Sequence, residues 1–464
     1  MYIVLLFLLF FIVIGVYAGK NFKYNNKDGY FLADRQLNKW QIGISAGATA
    51  NSGFIVVGAV GMGYSMGLSS LLYPLAWFLG DIVFWFFFAE RIRLNKTVIN
   101  SITVPQVLVN NSNNEKLRIV AGVIIFSLLL VYASAQFIAS TKVISSFTDI
   151  SSVQALLISF IFVVTYSIWG GFKSSVWTDV VQGIMMFILT ISMIIWGIIE
   201  IGGIDIFLSS IFSQGTLYTD LFGGRKFWTL FIFILGFAFA GFGFSISQPQ
   251  VTSRIFAASS SDEVKKSKWI YIGFLHFTWM GMCIIGIIAK ILIPELADAE
   301  TALPILATTY FPSYLIEAVF VAMIATILSS VDSLLVSSAS TLTIDFGLDD
   351  KTPKEKKLLL YRLSIIFVGI LTLLMSLFME STVFGAALFA ATILAASIGS
   401  AMVLVILNLT NSSNTLLIAI LVGLVTAILW RILGYHSIVS DGLVGFIAAM
   451  TVSLGYEKLI LKKY

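Results

Sequence analysis

The sequence predicts an all-helical integral membrane protein, on three observations: its composition, its succession of apolar runs, and the sorting of its basic residues. Of 464 residues, 58% are hydrophobic, 14% aromatic and only 11% charged, against roughly 25% charged in soluble domains. At about 35 residues for each crossing and its connection, the length holds about thirteen spans.

Apolar runs and their polar punctuation place helices at approximately 2–19, 40–66, 69–89, 117–145, 153–169, 174–199, 227–252, 268–292, 313–343, 361–378, 383–407, 415–433 and 440–458. The first run has the length of a secretory signal. No lysine or arginine precedes it and no small-residue cleavage site precedes Lys20, so it is expected to be a retained helix. Alternate connections hold 23 of the 28 lysines and arginines, among them Lys20, Lys23, Arg35, Arg91, Lys173, Arg254, Lys356, Lys462 and Lys463. Basic connections stay cytoplasmic. The expected topology is therefore multi-pass, with the N-terminus outside and the C-terminus inside a bacterial-type cell membrane. One cysteine, Cys283, excludes an internal disulfide, and with only His276 and His436 beside it no zinc or haem site is expected. Neither His276 nor Cys283 is expected beside an acid in a catalytic arrangement, so His276 is read as a packing residue and the chain as no enzyme. The net charge of +4 is spread between apolar runs, which argues against a nucleic-acid partner.

An odd leading helix makes spans two to six and seven to eleven two five-helix blocks of opposite orientation. The expected division is 1–39, an N-terminal helix and cytoplasmic loop; 40–200, a first repeat; 201–408, a second; and 409–464, two final helices. Each block opens on an interrupted helix: Ser45–Gly53 in the first, Gly241–Gln250 in the second. Freed backbone groups in lipid need partners, and an ion or solute is one; close packing by small residues is the alternative. In the ninth span Ser329, Asp332 and Ser333 are spaced to share a helical face, with Ser330 to one side. Hard oxygens packed so tightly suit a small cation, and an acid inside an apolar helix points to function. Serine hydroxyls bonded back to their own helix are the alternative there. Finally, Gly170-Gly171 leads into a helix carrying Asp179 and Gln182 one turn apart.

The Gly170–Gly183 segment closely resembles the signature of the sodium:solute symporter family, and the proline symporter branch in particular. The ninth-span serine pair, Ser45-Ala46-Gly47-Ala48, and Gln248-Pro249-Gln250 with Arg254 resemble that family too. The resemblance implies a LeuT-type 5+5 inverted repeat with one extra N-terminal and two extra C-terminal helices. It also implies sodium-coupled import of a solute by alternating access, with Na+ as the coupling ion and the lipid bilayer as surroundings. It puts a sodium ion on the carbonyls of Ala48, Asn51 and Thr326 and the hydroxyls of Ser329 and Ser330. A second cation would use Asp179, Asp332 and Ser333 beside Ser329. Solute groups are expected to meet Ser52, Gly53, Gln136, Ser245 and Gln248, with Phe244 and Phe389 as candidate gates. Proline symporters of the family carry aspartate where this chain has Ala50, and aromatic residues where it has Gly241 and Ser245. The arginine of a sialic acid binder has no counterpart in Tyr132-Ala133-Ser134-Ala135-Gln136. The expected solute is accordingly an amino acid or short carboxylate; a sugar or other polar solute, or a cation-permeable facilitator, is the alternative.

Overall fold

The computed structural model describes residues 2–19, 27–109, 114–379 and 382–459; Lys20, Lys23, Lys462 and Lys463 lie outside the described residues. Helices occupy every range expected from the sequence. They are α1 (Tyr2–Gly19), α2 (Lys39–Ala50, resuming at Phe54–Ala59 and Val60–Met66), α3 (Leu72–Phe87), α4 (Glu115–Phe147), α5 (152–170) and α6 (172–201). Then follow α7 (Phe227–Ser247, with a second piece Pro249–Phe256), α8 (Ser261–Leu292), α9 (Ser313–Ser340, running on through Thr341–Asp345), and α10 (Lys357–Phe378). The last are α11 (Val383–Leu394, continued by Ala395–Gly399 and Ser400–Ile406), α12 (Ser413–Ile432) and α13 (Asp441–Leu459). Nine helical stretches among the described residues are long and apolar enough to cross a membrane.

Local chemistry sets the boundaries. The Asn38 side chain accepts from the amides of Trp40 and Gln41 while Gln41 returns a bond to the Asn38 amide, a capping box that starts α2. Ser151 and Gln154 do the same for α5. The stretch Ser152–Ile201 has 50 residues, about 75 Å at helical rise, far beyond a hydrocarbon core of about 30 Å. It turns at Gly171, whose φ of 52° and ψ of −146° only glycine adopts without strain, so α5 and α6 are separate crossings.

The first helix of each block packs on the second helix of the other, α2 on α8 and α7 on α3, the exchange a pseudo-two-fold demands. Helices α4, α5 and α6 pack on α9, in which every residue from 321 to 339 is buried. Lys142 of α4 reaches across to Asp298 and Glu300, both at 2.7 Å, in the connection from α8 to α9.

Two expectations are corrected. The second interruption does not begin at Gly241: α7 stays helical through Ser247, and only Gln248, at φ −83° and ψ 114°, breaks it, with Pro249 starting the next piece. The glycines there allow close packing instead. A Cβ on Gly241 would stand 2.5 Å from the Trp77 carbonyl, and one on Gly243 would stand 2.3 Å from the Ala395 Cβ. Arg254, counted with the loop charges, is wholly buried. Among the described residues the tightest such approach is at Gly80 of α3, whose Cβ would fall 1.8 Å from the Ala238 carbonyl of α7. Gly80→Ala is expected to destabilise by about 1–3 kcal/mol through overpacking, read as a lower melting temperature of detergent-purified protein; an unchanged value would show that α3 and α7 separate freely.

Candidate ion and solute site

The break in α2 is a rearrangement of its hydrogen-bond ladder. The Ser52 amide turns back to the Ala50 carbonyl at 2.9 Å, and the Gly53 amide goes to Gln136 Oε1 of α4 at 2.7 Å. The Phe54 amide goes to Ser52 Oγ at 3.1 Å and the Ile55 amide to the Ser52 carbonyl at 2.8 Å. The carbonyls of Ala48, Thr49, Ala50 and Asn51 thereby lose the amides that a continuous helix would give them. Position 53 has to be glycine: a Cβ would lie 2.5 Å from that of Ala139 and 2.9 Å from Gln136 Oε1. Two buried amide atoms beside the break, Asn51 Oδ1 and Gln136 Nε2, have no hydrogen-bond partner.

Helix α9 faces this break with its serines. Ser330 Oγ donates to the Thr49 carbonyl at 3.0 Å, and Ser329 Oγ donates to Asp179 Oδ1 of α6 at 2.6 Å. Ala48, Asn51, Ser329 and Ser330 are thus gathered where α2 meets α9. Thr326 belongs to an unbroken stretch of α9, its hydroxyl bonded to the Ala322 carbonyl at 2.8 Å.

The residues expected to hold a second cation divide between two places. Asp179 Oδ2 accepts from Ser45 Oγ at 2.6 Å and Thr49 Oγ1 at 3.3 Å, and Ser333 Oγ is 3.1 Å from Thr49 Oγ1 and 3.0 Å from Ser175 Oγ. Asp332 turns away toward α5, where Ser167 donates to Oδ1 and Oδ2 has no partner. Residues 329 and 333, four apart, share a face; 332 lies to its side. Asp332 is fully buried, not wetted by the nearby surface.

Sequence reasoning missed the centre of this cluster. Arg254, from the short piece after Gln248, donates through Nη2 to Asp179 Oδ2 at 2.8 Å and Ser333 Oγ at 2.6 Å, and through Nε to Ser45 Oγ at 3.0 Å. Both members of the Arg254–Asp179 pair are completely buried. Arg254 ties α7 to α2, α6 and α9. The available signal was its distance of five residues from Pro249, the first residue of a helix that re-enters the protein.

The residues expected to touch solute also spread out. Ser52 Oγ is 3.2 Å from Tyr132 Oη, and Gly53 and Gln136 bond each other. Ser245 donates to Asp81 at 2.9 Å, and Gln248 Oε1 accepts from Gln250 at 2.9 Å. The Asp81 carboxylate also lies 3.1 Å from His276 Nε2, so His276 does stand beside an acid. A narrow cavity of about 20 Å³, room for about one water molecule, lies next to the break, lined by Ala50, Phe54, Trp77, Tyr132, Phe244, Leu275, Trp279 and Leu388. None of those five residues lines it, but Tyr132 and Ala50 do. Phe54 stacks on Phe384 with centroids 4.6 Å apart and planes at 14°. Leu388 is shared with a wider cavity of about 600 Å³, lined besides by Phe384, Arg225, Arg431 and His436. Of the candidate gates, Phe244 lines the small cavity, 5.5 Å from Trp77, whereas Phe389 packs under Arg431 at 4.9 Å.

A broken helix with freed oxygens, a hydroxyl-bearing partner helix and an adjoining aromatic-walled cavity, all inside a two-block bundle, are the parts of a secondary transporter. The profile of the sodium:solute symporter family matches residues 30–423, and the chain belongs to that family. The high-affinity proline transporter PutP of Bacillus subtilis (strain 168) is 27% identical over 449 residues, covering 95% of this chain and 93% of its own. Sodium/proline symporter 2 of Staphylococcus saprophyticus is 27% identical over 384 residues, 80% of this chain and 74% of its own. Among solved structures, a substrate-bound, outward-open Na+-coupled sialic acid symporter superposes with a TM-score of 0.83 at 18% identity, covering 99% of this chain and 97% of that one. MhsT in complex with L-phenylalanine gives 0.59 at 14%, covering 90% and 99%. The fold is of the LeuT type, and the protein is a multi-pass sodium-coupled solute symporter rather than an enzyme.

Removing one partner of a buried ion pair leaves an uncompensated charge and typically costs about 3–5 kcal/mol. Asp179→Ala is expected to destabilise on that scale, measured by thermal or denaturant unfolding in detergent. A loss under about 1 kcal/mol would mean that water reaches Arg254.

Proposed function

We propose that the chain imports a small, largely apolar amino acid or short carboxylate, driven by sodium bound where α2 breaks against α9. The carrying observation is the diversion of four successive amides at residues 52–55, which turns the carbonyls of Ala48 and Asn51 loose beside Ser329 and Ser330. Sodium would take those oxygens with the Thr326 carbonyl as a further ligand. Helix α2 packs chiefly on α8 and helix α9 on α4, so an ion bridging α2 and α9 favours one arrangement of the bundle and orders the break. Solute binding then tightens with sodium, and by reciprocity sodium binding tightens with solute.

The solute would occupy the space bounded by Phe54, Trp77, Tyr132, Phe244 and Trp279 once these side chains draw apart to widen the narrow cavity between them, with Ser52, Gly53 and Gln136 polarising its edge through Tyr132 and the break. Phe384, stacked on Phe54 and lining the wider cavity, replaces Phe389 as the gate we favour, beside Phe244. The named relatives are proline transporters; the Ala50 methyl on the cavity wall, where proline symporters of the family carry aspartate, is the reason the proposed solute class is wider than proline. One charge falling through about 100 mV supplies about 2.3 kcal/mol, and a tenfold sodium gradient adds about 1.4 kcal/mol. Together they support accumulation of a few hundredfold per ion.

Uptake of the true solute into proteoliposomes is expected to require an inward sodium gradient, and Ser330→Ala is expected to raise the half-activating sodium concentration tenfold or more. Uptake indifferent to sodium would favour a facilitator, and unaltered activation in Ser330→Ala would remove the cage at α2 and α9. The solute itself would emerge from a panel of amino acids and carboxylates scored for stabilisation with and without sodium.

We also propose thirteen crossings divided at 40–200 and 201–408, with the N-terminus outside and the C-terminus in the cytoplasm of a cell membrane. The excess of basic residues on alternate connections supports this. In a cell expressing single-cysteine variants, an impermeant thiol reagent is expected to label Thr216→Cys and spare Glu355→Cys, both at exposed positions. The reverse pattern would invert the topology.

A further inference from the structure

The oxygens around Asp179 form a cation cage of their own. Its carboxylate and the hydroxyls of Ser45, Thr49, Ser175, Ser329 and Ser333 come from three helices and are all fully buried or nearly so. Hard oxygens with one carboxylate are what a sodium ion takes in a dry interior. The place is already filled by a cation that belongs to the chain. Arg254 Nη2 stands 2.8 Å from Asp179 Oδ2, 2.6 Å from Ser333 Oγ and 3.4 Å from Ser175 Oγ.

The guanidinium has little freedom to leave. Nε bonds Ser45, and Nη1 bonds the Gln250 carbonyl at 2.6 Å and Ser253 Oγ at 3.3 Å, so every nitrogen has a partner. The Phe172 ring covers its face at 4.9 Å. A second positive charge within a few ångströms in so poorly screened a place is strongly disfavoured. Guanidinium and free ion are mutually exclusive.

We propose that Arg254 is a tethered substitute for a second coupling ion, so that the transporter binds and moves one free sodium ion per solute. This rests on the sodium cage proposed above at α2 and α9 and fixes its stoichiometry. It also separates the two acids of the region: Asp179 is permanently neutralised by the chain, and no free cation is needed to hold α6 to α2 and α9.

The test is equilibrium binding of 22Na+ to the purified full-length protein. Wild-type protein and Arg254→Lys, which keeps a tethered charge, are expected to bind one ion. Arg254→Gln is expected to bind two, because Asp179 and its hydroxyls then lack a cation. Arg254→Gln with Asp179→Asn is expected to return to one. Two ions on wild-type protein, or one on a folded Arg254→Gln, would overturn the proposal. Should Arg254→Gln fail to fold, the wild-type count still decides, since two ions there refute a filled cage. No binding to wild-type protein would instead strike the cage at α2 and α9, and this inference with it; one ion that survives Ser330→Ala unchanged would strike that cage alone.

Discussion

In a hydrocarbon interior a backbone carbonyl without an amide is costly, and the architecture is arranged around one place where several such carbonyls occur together. The second helix loses its ladder between Ala50 and Phe54 and compensates with groups from elsewhere: Gln136 of α4 takes the Gly53 amide, and Ser330 of α9 supplies a hydroxyl to the Thr49 carbonyl. The break is therefore a junction of three helices. A shift of α4 or α9 changes what the break can bind, and whatever the break binds changes how α4 and α9 sit. Energetic coupling between an ion and a bundle rearrangement needs no longer wire than this.

The polar cluster one turn deeper works differently. Four helices meet at Arg254, and its buried pair with Asp179 repays desolvation because every remaining donor is satisfied by a hydroxyl or carbonyl. Such a fully bonded group resists rearrangement. The two neighbouring clusters divide the labour: freed carbonyls with incomplete partners at residues 48–51 are adaptable, while the guanidinium knot beside them is fixed. The break in α7 at Gln248 serves the knot, because only a helix that restarts at Pro249 inside the protein carries Arg254 to the level of Asp179.

The fold was legible in the sequence because a membrane span is a long, one-dimensional signal: thirteen apolar runs correspond to helices with shifts of a few residues at their ends. Ser329, Ser330 and Asp179 stood out for a related reason, since polar atoms in an apolar run are few, and all three bond across to another helix. Arg254 was not, because sorting basic residues by connection treats each as a loop charge, and a helix re-entering after a break defeats that assumption. The Gly241–Ser247 stretch misled in the opposite sense. Small residues read as a loosened helix, but their neighbours Trp77 and Ala395 are near enough to need the missing Cβ atoms. The cavity was least legible. Its walls are aromatic, and with 39 phenylalanines in the chain no single ring carries a signal; only the fold decides that Phe54 meets Phe384.

As the proposed solute site, the same cavity would link selectivity to coupling. No charged side chain is among the residues that line it, so a zwitterion or carboxylate entering it finds no fixed counter-charge on its wall. Ala50 belongs both to this wall and to the break whose carbonyls at Ala48 and Asn51 are turned loose. A sodium ion held by those carbonyls would stand within a residue or two of the cavity and be the nearest positive charge to a carboxylate inside it. An uncharged sugar would gain little from that ion, whereas a carboxylate in a poorly screened site would gain several-fold to many-fold in affinity at the separation of a contact pair. A requirement for sodium and a preference for a carboxylate would then have one electrostatic origin. An aspartate at position 50 would alter both together, because it would place a negative charge between the ion and the solute.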